Sequence, residues 1–199
     1  RFLKVAALQS GQLINFAGMA SDAAVAETTL KSYFQILQDT LLGFSLEPFI
    51  ETKKRKAIST AKFYLFDNGV RHTILGTEVL DRNSDLWGTS FESFIGQEIR
   101  AYLSYKRIKK DLTFWRSTSQ FEVDYLIGKD VAIEVKATKR VTDKFLNGLK
   151  ALSEEGIFKS FYLVSTDKIA KKIPMGQKAS LHILPWNLFL DRLWKGNVI

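Results

Sequence analysis

Residues 114–140 read FWRSTSQFEVDYLIGKDVAIEVKATKR, and the chemistry of the chain turns on how this stretch folds. Residues 121–127 and 131–138 are rich in Val, Ile, Tyr and Phe, and Gly128-Lys129-Asp130 interrupts them. Two antiparallel strands joined by a tight turn are the economical reading. If Ile127 faces Val131, counting back sets Asp124 opposite Glu134. Directly opposed residues on one sheet face hold their Cβ atoms ~5 Å apart, and two like charges there are unfavourable unless a cation lies between them. Glu134 and Lys136 share a strand face, while Ile133, Val135 and Ala137 take the other. Such a face suits Mg²⁺ held by the carboxylates of Asp124 and Glu134, a backbone carbonyl and waters, with Lys136 placed to orient a water nucleophile or offset charge building on a phosphate. Without an ion, the same residues form a solvated strand face with an ordinary Glu–Lys pair.

Around this stretch the composition is that of a globular chain, with 199 residues, 46% hydrophobic and 13% aromatic. The formal net charge is +8, and it is uneven: residues 1–50 carry three basic and four acidic side chains, the remainder 26 and 17. Nucleic acid, DNA above all, is the natural partner for a basic surface, although solvated lysines give the same count. There is no Cys, so disulfides, thiolate metal sites and thiol nucleophiles are excluded. No run approaches the ~20 apolar residues of a membrane helix and no secretory leader is evident, which predicts a cytoplasmic protein without a membrane partner. The first residue is Arg, which suggests a piece of a longer chain.

Upstream, residues 1–38 read as three helices. The first two centre on Phe2–Gln9 and Leu13–Met19, and the third, residues 26–38, carries Leu30, Phe34 and Leu37 inward. Ser21-Asp22 is the start signal expected for that third helix. An apolar strand over residues 41–46 follows, the order of a winged helix-turn-helix over residues 1–75, with residues 24–38 as recognition helix. Lys31 is the one basic residue there, beside Thr28, Thr29, Ser32 and Gln35, so the helix serves protein contact as readily as DNA. Lys53, Lys54 and Arg55 lie in a basic run before a strand at residues 62–66, suited to a wing tip on phosphates or to a solvated loop. Asp67-Asn68-Gly69 reads as a turn before a short helix, and His72 as a surface or capping residue.

Residues 77–90 read as a loop, and a second domain over residues 76–199 opens with an amphipathic helix at 90–105. Phe91, Phe94, Ile95, Ile99, Tyr102 and Leu103 share its inner arc, and the spacing turns Glu92 and Glu98 toward the sheet it should cover. Downstream the expectation is a strand at 112–115, the central hairpin, a helix at 142–152, a strand at 158–165, a basic loop at 168–178 around Pro174, a strand at 181–184 and a helix from Pro185. The fold class is therefore α/β (α+β), a mixed sheet flanked by helices.

An acid on the first helix, Asp on the second strand and Glu-x-Lys on the third resembles the PD-(D/E)xK nuclease-like superfamily, with a restriction-endonuclease-like fold. The matching residues are Glu92, Asp124, Glu134 and Lys136. The resemblance implies a metal centre of Asp124, Glu134, Val135 and Glu92, the last directly or through water, and a metal-dependent nuclease. Arg116, Lys139 and Arg140 flank the face as candidates for holding phosphates. A longer pattern, DTLLGFSLEPF at 39–49, KFYLFDNGVRHTIL at 62–75, GTSFESFIGQEIRAYL at 88–103, TFWRSTSQFEVDYLI at 113–127 and AIEVKAT at 132–138, resembles the C-terminal part of predicted prokaryotic AAA+ family ATPases. That implies an ATPase domain in the full-length chain as partner. No G-x-x-x-x-G-K-S/T loop occurs here, so this chain offers no ATP site of that type. The alternative is a catalytically silent nuclease-fold module that binds DNA or a partner protein and regulates the ATPase.

Overall fold

The computed structural model describes residues 1–175 and 179–199 and is mixed α/β. The chain divides into two compact units, Arg1–Glu47 with Thr60–Phe94, and Pro48–Ser59 with Ile95–Ile199.

In the first unit, α1 (Phe2–Leu8), α2 (Phe16–Ala23) and α3 (Glu27–Asp39) are followed by β1 (Gly43–Pro48), β2 (Lys62–Leu65) and α4 (Asn68–Leu75). β1 and β2 are antiparallel, with Phe44 opposite Tyr64. Leu30, Phe34 and Leu37 of α3 are buried at helical spacing against Val5, Ala6, Met19 and Phe63, and Phe34 meets the Phe63 ring edge-on at 4.7 Å. The boundary between α2 and α3 differs from the expectation. Ser21 and Asp22 lie inside α2, which Asn15 caps by accepting from the Gly18 N–H. The break is Ala24, held left-handed at φ 57°. The Val25 N–H reaches the Ala20 carbonyl at 3.1 Å and the Ala24 N–H the Ser21 carbonyl, so the turn satisfies the helix-end carbonyls without glycine. Asp67 likewise caps α4, accepting from the Val70 N–H at 2.8 Å, rather than forming a free turn.

The helix expected from residue 90 begins earlier: α5 spans Asp85–Tyr105. Ser84 starts it, its hydroxyl accepting from the Trp87 N–H, and Gly88 lies in its first turn.

In the second unit the sheet order is β3 (Leu112–Arg116), β4 (Glu122–Ile127), β5 (Val131–Lys136), β6 (Ser160–Ser165), β8 (Ala179–Pro185) and β7 (Lys171–Met175). β3–β4–β5 is an antiparallel meander, β5, β6 and β8 are parallel, and β7 returns antiparallel at the edge. A 3-10 turn (Asp143–Leu146) and α6 (Asn147–Ser153) form the β5-to-β6 crossover, and α7 (Trp186–Trp194) follows β8. Leu149 and Leu152 of α6 bury against Leu126, Ala132, Phe161 and Leu163. On the other face Gly96 of α5 admits the Tyr125 ring, which a Cβ there would meet, and α7 sets Phe189 against Tyr162. The basic loop expected at 168–178 is in part β7. Its Pro174 and lysines are tolerated because an edge strand leaves one row of N–H positions unused by the sheet. The end of that stretch, residues 176–178, lies outside the described residues.

Candidate functional site

The hairpin closes in the register the sequence predicts. Ile127 pairs with Val131, Leu126 with Ala132 and Tyr125 with Ile133, and Gly128 takes φ 54° in the turn, a left-handed conformation that glycine adopts without steric cost. The next residue back is Asp124. Its Oδ2 accepts the Val135 N–H at 2.7 Å, so the side chain takes a backbone donor at the end of the paired segment. Val135 is thus committed through its N–H to Asp124.

Asp124 and Glu134 are buried, at 3% and 6% exposure, which rules out the solvated strand face. Lys136 joins them, its Nζ 2.6 Å from Glu134 Oε1 and 3.7 Å from Asp124 Oδ2. Two carboxylates removed from water need a shared cation, and here the lysine ammonium fills that role. Its side chain stays 32% exposed. Glu134 and Lys136 open on a cleft of about 330 Å³ whose wall includes Gln120, Phe121, Glu122, Lys144, Asn147 and Gly148. The 3-10 turn and α6 build that wall. Gly148 is required there: a Cβ would come 1.9 Å from the Glu122 carbonyl oxygen.

The other residues singled out in the sequence sit as follows. Arg116 pairs with Glu122 at 3.2 Å and donates to Gln120. Lys139 and Arg140 are exposed just beyond β5. Lys144, exposed on the cleft wall, was missed because nothing in the sequence marks a lysine in a helical turn as facing a site. Lys31 is tied to Glu27 one turn away and lies over the Phe16 ring. The backbone of the basic run is anchored, while the Lys53 and Lys54 side chains stay exposed. The backbone N–H groups of Lys53, Lys54 and Arg55 all donate to the Glu155 carboxylate, at 2.7, 2.9 and 3.0 Å, and the Arg55 guanidinium pairs with Glu154 at 2.8 Å.

Glu92 is engaged within the first unit. Its Oε1 accepts from the Tyr64 hydroxyl at 2.9 Å and from Lys62 Nζ at 3.5 Å. Lys62 and Arg71 are each 4% exposed. Arg71 donates to the Ala7 carbonyl and to Thr89; burial lowers its pKa, and the nearby Glu92 and Tyr64 raise it. The buried cations Lys62 and Arg71 also escaped the sequence reading, because a strand lysine and a helix arginine ordinarily face water. Glu98 accepts from the Trp194 indole N–H at 2.9 Å, and His72 meets Ser90 Oγ at 2.8 Å. Among the described residues no group of three or more His, Cys, Asp or Glu side chains is placed to hold a metal ion, and no described helix is long and apolar enough to cross a membrane.

With this geometry in hand, comparison with known proteins adds lineage. Residues 1–81 match the domain of unknown function DUF8612. An uncharacterised protein of Mycobacterium tuberculosis and one of Mycobacterium bovis are each 31% identical over 134 residues, 64% of this chain and 29% of theirs. The chain spans under a third of the length of these relatives. No solved structure matches it. Residues 87–189, which hold the hairpin and its cleft, match the domain of unknown function DUF4143, and the chain belongs to that family.

Proposed function

We propose that the second unit is a metal-dependent phosphodiesterase acting on nucleic acid, centred on Asp124, Glu134 and Lys136. The observation that carries this reading is two buried carboxylates sharing one cation at the mouth of a cleft. The donor set fits Mg²⁺ or Mn²⁺, which are bound by one or two carboxylates, with waters and substrate phosphate completing the shell. The place where Lys136 Nζ bridges both acids is where positive charge is stabilised. Asp124 and Glu134 would hold the ion, with the Val135 carbonyl as a further oxygen donor. A bound divalent ion supplies Lewis-acid polarisation of a phosphate oxygen and a more acidic water.

Asp124 is fixed for this work by the Val135 N–H. Lys136 orients the attacking water and offsets charge building on the phosphate, and its partial exposure gives it access to substrate. Lys144 on the cleft wall, with Lys139 and Arg140 beyond β5 and Arg116 beside Gln120, would hold flanking phosphates. In the first unit the order of α1, α2, α3, β1 and β2 fits a winged helix. With Lys31 drawn to Glu27, that element suits protein contact better than reading DNA. The resemblance to AAA+ family proteins supports an ATPase segment of the same polypeptide as its partner.

The test is cleavage of single-stranded, duplex and branched DNA by purified protein with Mn²⁺, against a Glu134→Ala, Lys136→Ala double variant. Cleavage confined to the parent protein supports the reading; no difference between the two sinks it. A second reading rests on the 2.6 Å ion pair of Lys136 with Glu134, which satisfies the site internally. On that reading the unit is a silent nuclease-fold module that regulates its ATPase. Calorimetric titration with Mn²⁺ separates the two, since the silent module gives no binding heat that Asp124→Asn removes.

A further inference from the structure

The far end of the second unit's sheet gathers positive charge on the face opposite the carboxylate cleft. The strand register fixes the two faces: Glu134 lies level with Leu163 and Ile183, whereas Ile133 lies level with Tyr162 and His182. Neighbours along a strand point to opposite faces, so His182 and Tyr162 sit on the face that α7 covers. Lys172 is the partner of His182 across the antiparallel edge and therefore shares that face. The His182 ring stacks on Tyr162 at 5.1 Å. Together Lys171, Lys172, His182 and Arg192 line a recess of about 290 Å³, floored by Ala170 and Leu184.

Two of these cations have no acid partner: neither Lys172 nor Arg192 forms an ion pair among the described residues. Asp191, beside Arg192 in sequence, is taken by Lys195 at 2.7 Å. Asp167 is lowered in pKa first by the Ile169 N–H, with Lys171 a minor electrostatic contributor. His182 is held below its ordinary pKa by burial, then by Lys172 and Arg192, and its Nε2 meets Ser180 Oγ at 3.2 Å. Like charges brought together without a counterion are unfavourable, and an anion in the recess relieves that cost.

We propose that this recess is a phosphate-binding site, with Lys172 and Arg192 as the charged contacts and His182 on its wall. Arg192 supplies the planar fork that matches phosphate oxygens bidentately, and Lys172 a mobile point charge. The site takes either a free phosphorylated molecule or one phosphodiester of a nucleic-acid backbone. It does not depend on chemistry at the cleft.

The experiment measures binding in EDTA, with inorganic phosphate in one arm and a short single-stranded oligonucleotide lacking terminal phosphates in the other. Parent protein is compared with Lys172→Gln, with Lys172→Gln, Arg192→Gln, and with Glu134→Ala. Saturable binding that falls about tenfold or more in the double variant, and survives Glu134→Ala, supports the site. Phosphate binding alone assigns a small phosphorylated ligand. Oligonucleotide binding whose salt slope drops by roughly 1.4 on removing two charges assigns a backbone phosphate. Equal affinity in parent and double variant, or no saturable binding of either probe, overturns the proposal. Lys172 is exposed on an edge strand, so the single variant keeps the test valid if Arg192→Gln disturbs α7.

Discussion

Both units hold an acid–base cluster, but they bury different partners of it. In the first, Glu92 is met by Tyr64 and by Lys62, a lysine whose side chain is 5% exposed, with Arg71 buried nearby. In the second, Asp124 and Glu134 are buried while the side chain of their lysine is 32% exposed on a cleft. In the first unit the lysine is buried while the side chain of its acid is 20% exposed; in the second the acids are buried and the lysine reaches solvent. The lysine at the cleft mouth bridges two buried acids and keeps its own side chain 32% exposed. The two clusters therefore differ in which partner is withdrawn from water, and the cation's access to solvent separates them.

The contrast breaks or sharpens on stability measurements. Glu92→Ala strands the buried Lys62 charge and should cost about 3 kcal/mol by urea denaturation, with part recovered on adding Lys62→Met. Glu134→Ala, whose lysine reaches water, should cost less; the reverse order would break the distinction. Next in size, Asp124→Ala leaves the buried Val135 N–H without its acceptor and should cost about 2 kcal/mol. Asp124→Asn, which keeps an acceptor, should lose about half of that, and equal losses would place the effect in charge instead of the hydrogen bond.

Smaller still is Glu155→Gln, at about 1 kcal/mol near neutral pH. Burial acts to raise the Glu155 pKa, but the N–H groups of Lys54, Lys53 and Arg55 outweigh it and leave it lowered. A lowered folded value means the stabilisation is complete above the ordinary glutamate range and lost as pH falls through the folded value. Parent and variant should therefore converge in acid, and a gap that persists there would exclude the ionised carboxylate as its source. Smallest is Lys31→Ala, an exposed pair one helical turn apart, worth about 0.4 kcal/mol. It should leave nucleic-acid binding unchanged, whereas a clear loss of binding would return α3 to the role of DNA reader.

The hairpin was legible because local rules coincide there: β-rich flanks, a glycine at the turn and alternation on β5 all demand the same register. Where local rules compete, tertiary terms decided. Ser21-Asp22 has the composition of a helix start, yet α2 runs through it and ends at Ala24, where the helix-end carbonyls are satisfied and Val25 packs on the core. Pro174 and its lysines look like loop, but an edge position makes them strand. The start of α5 at Asp85 hid behind Gly88 and the turn residues before it.

The candidate site divides in the same way. Asp124, Glu134 and Lys136 could be named from the sequence because two-residue periodicity and a short turn determine which side chains share a face. The burial of the two acids, the cleft wall with Lys144 and Gly148, and the capture of Glu92 by Tyr64 and Lys62 were decided only in three dimensions. So were the docking of Lys53, Lys54 and Arg55 on Glu155 and the convergence of Lys172 with Arg192. These join residues tens of positions apart, up to about a hundred. Periodicity describes a single element, and the partners of a charge are set by packing between elements.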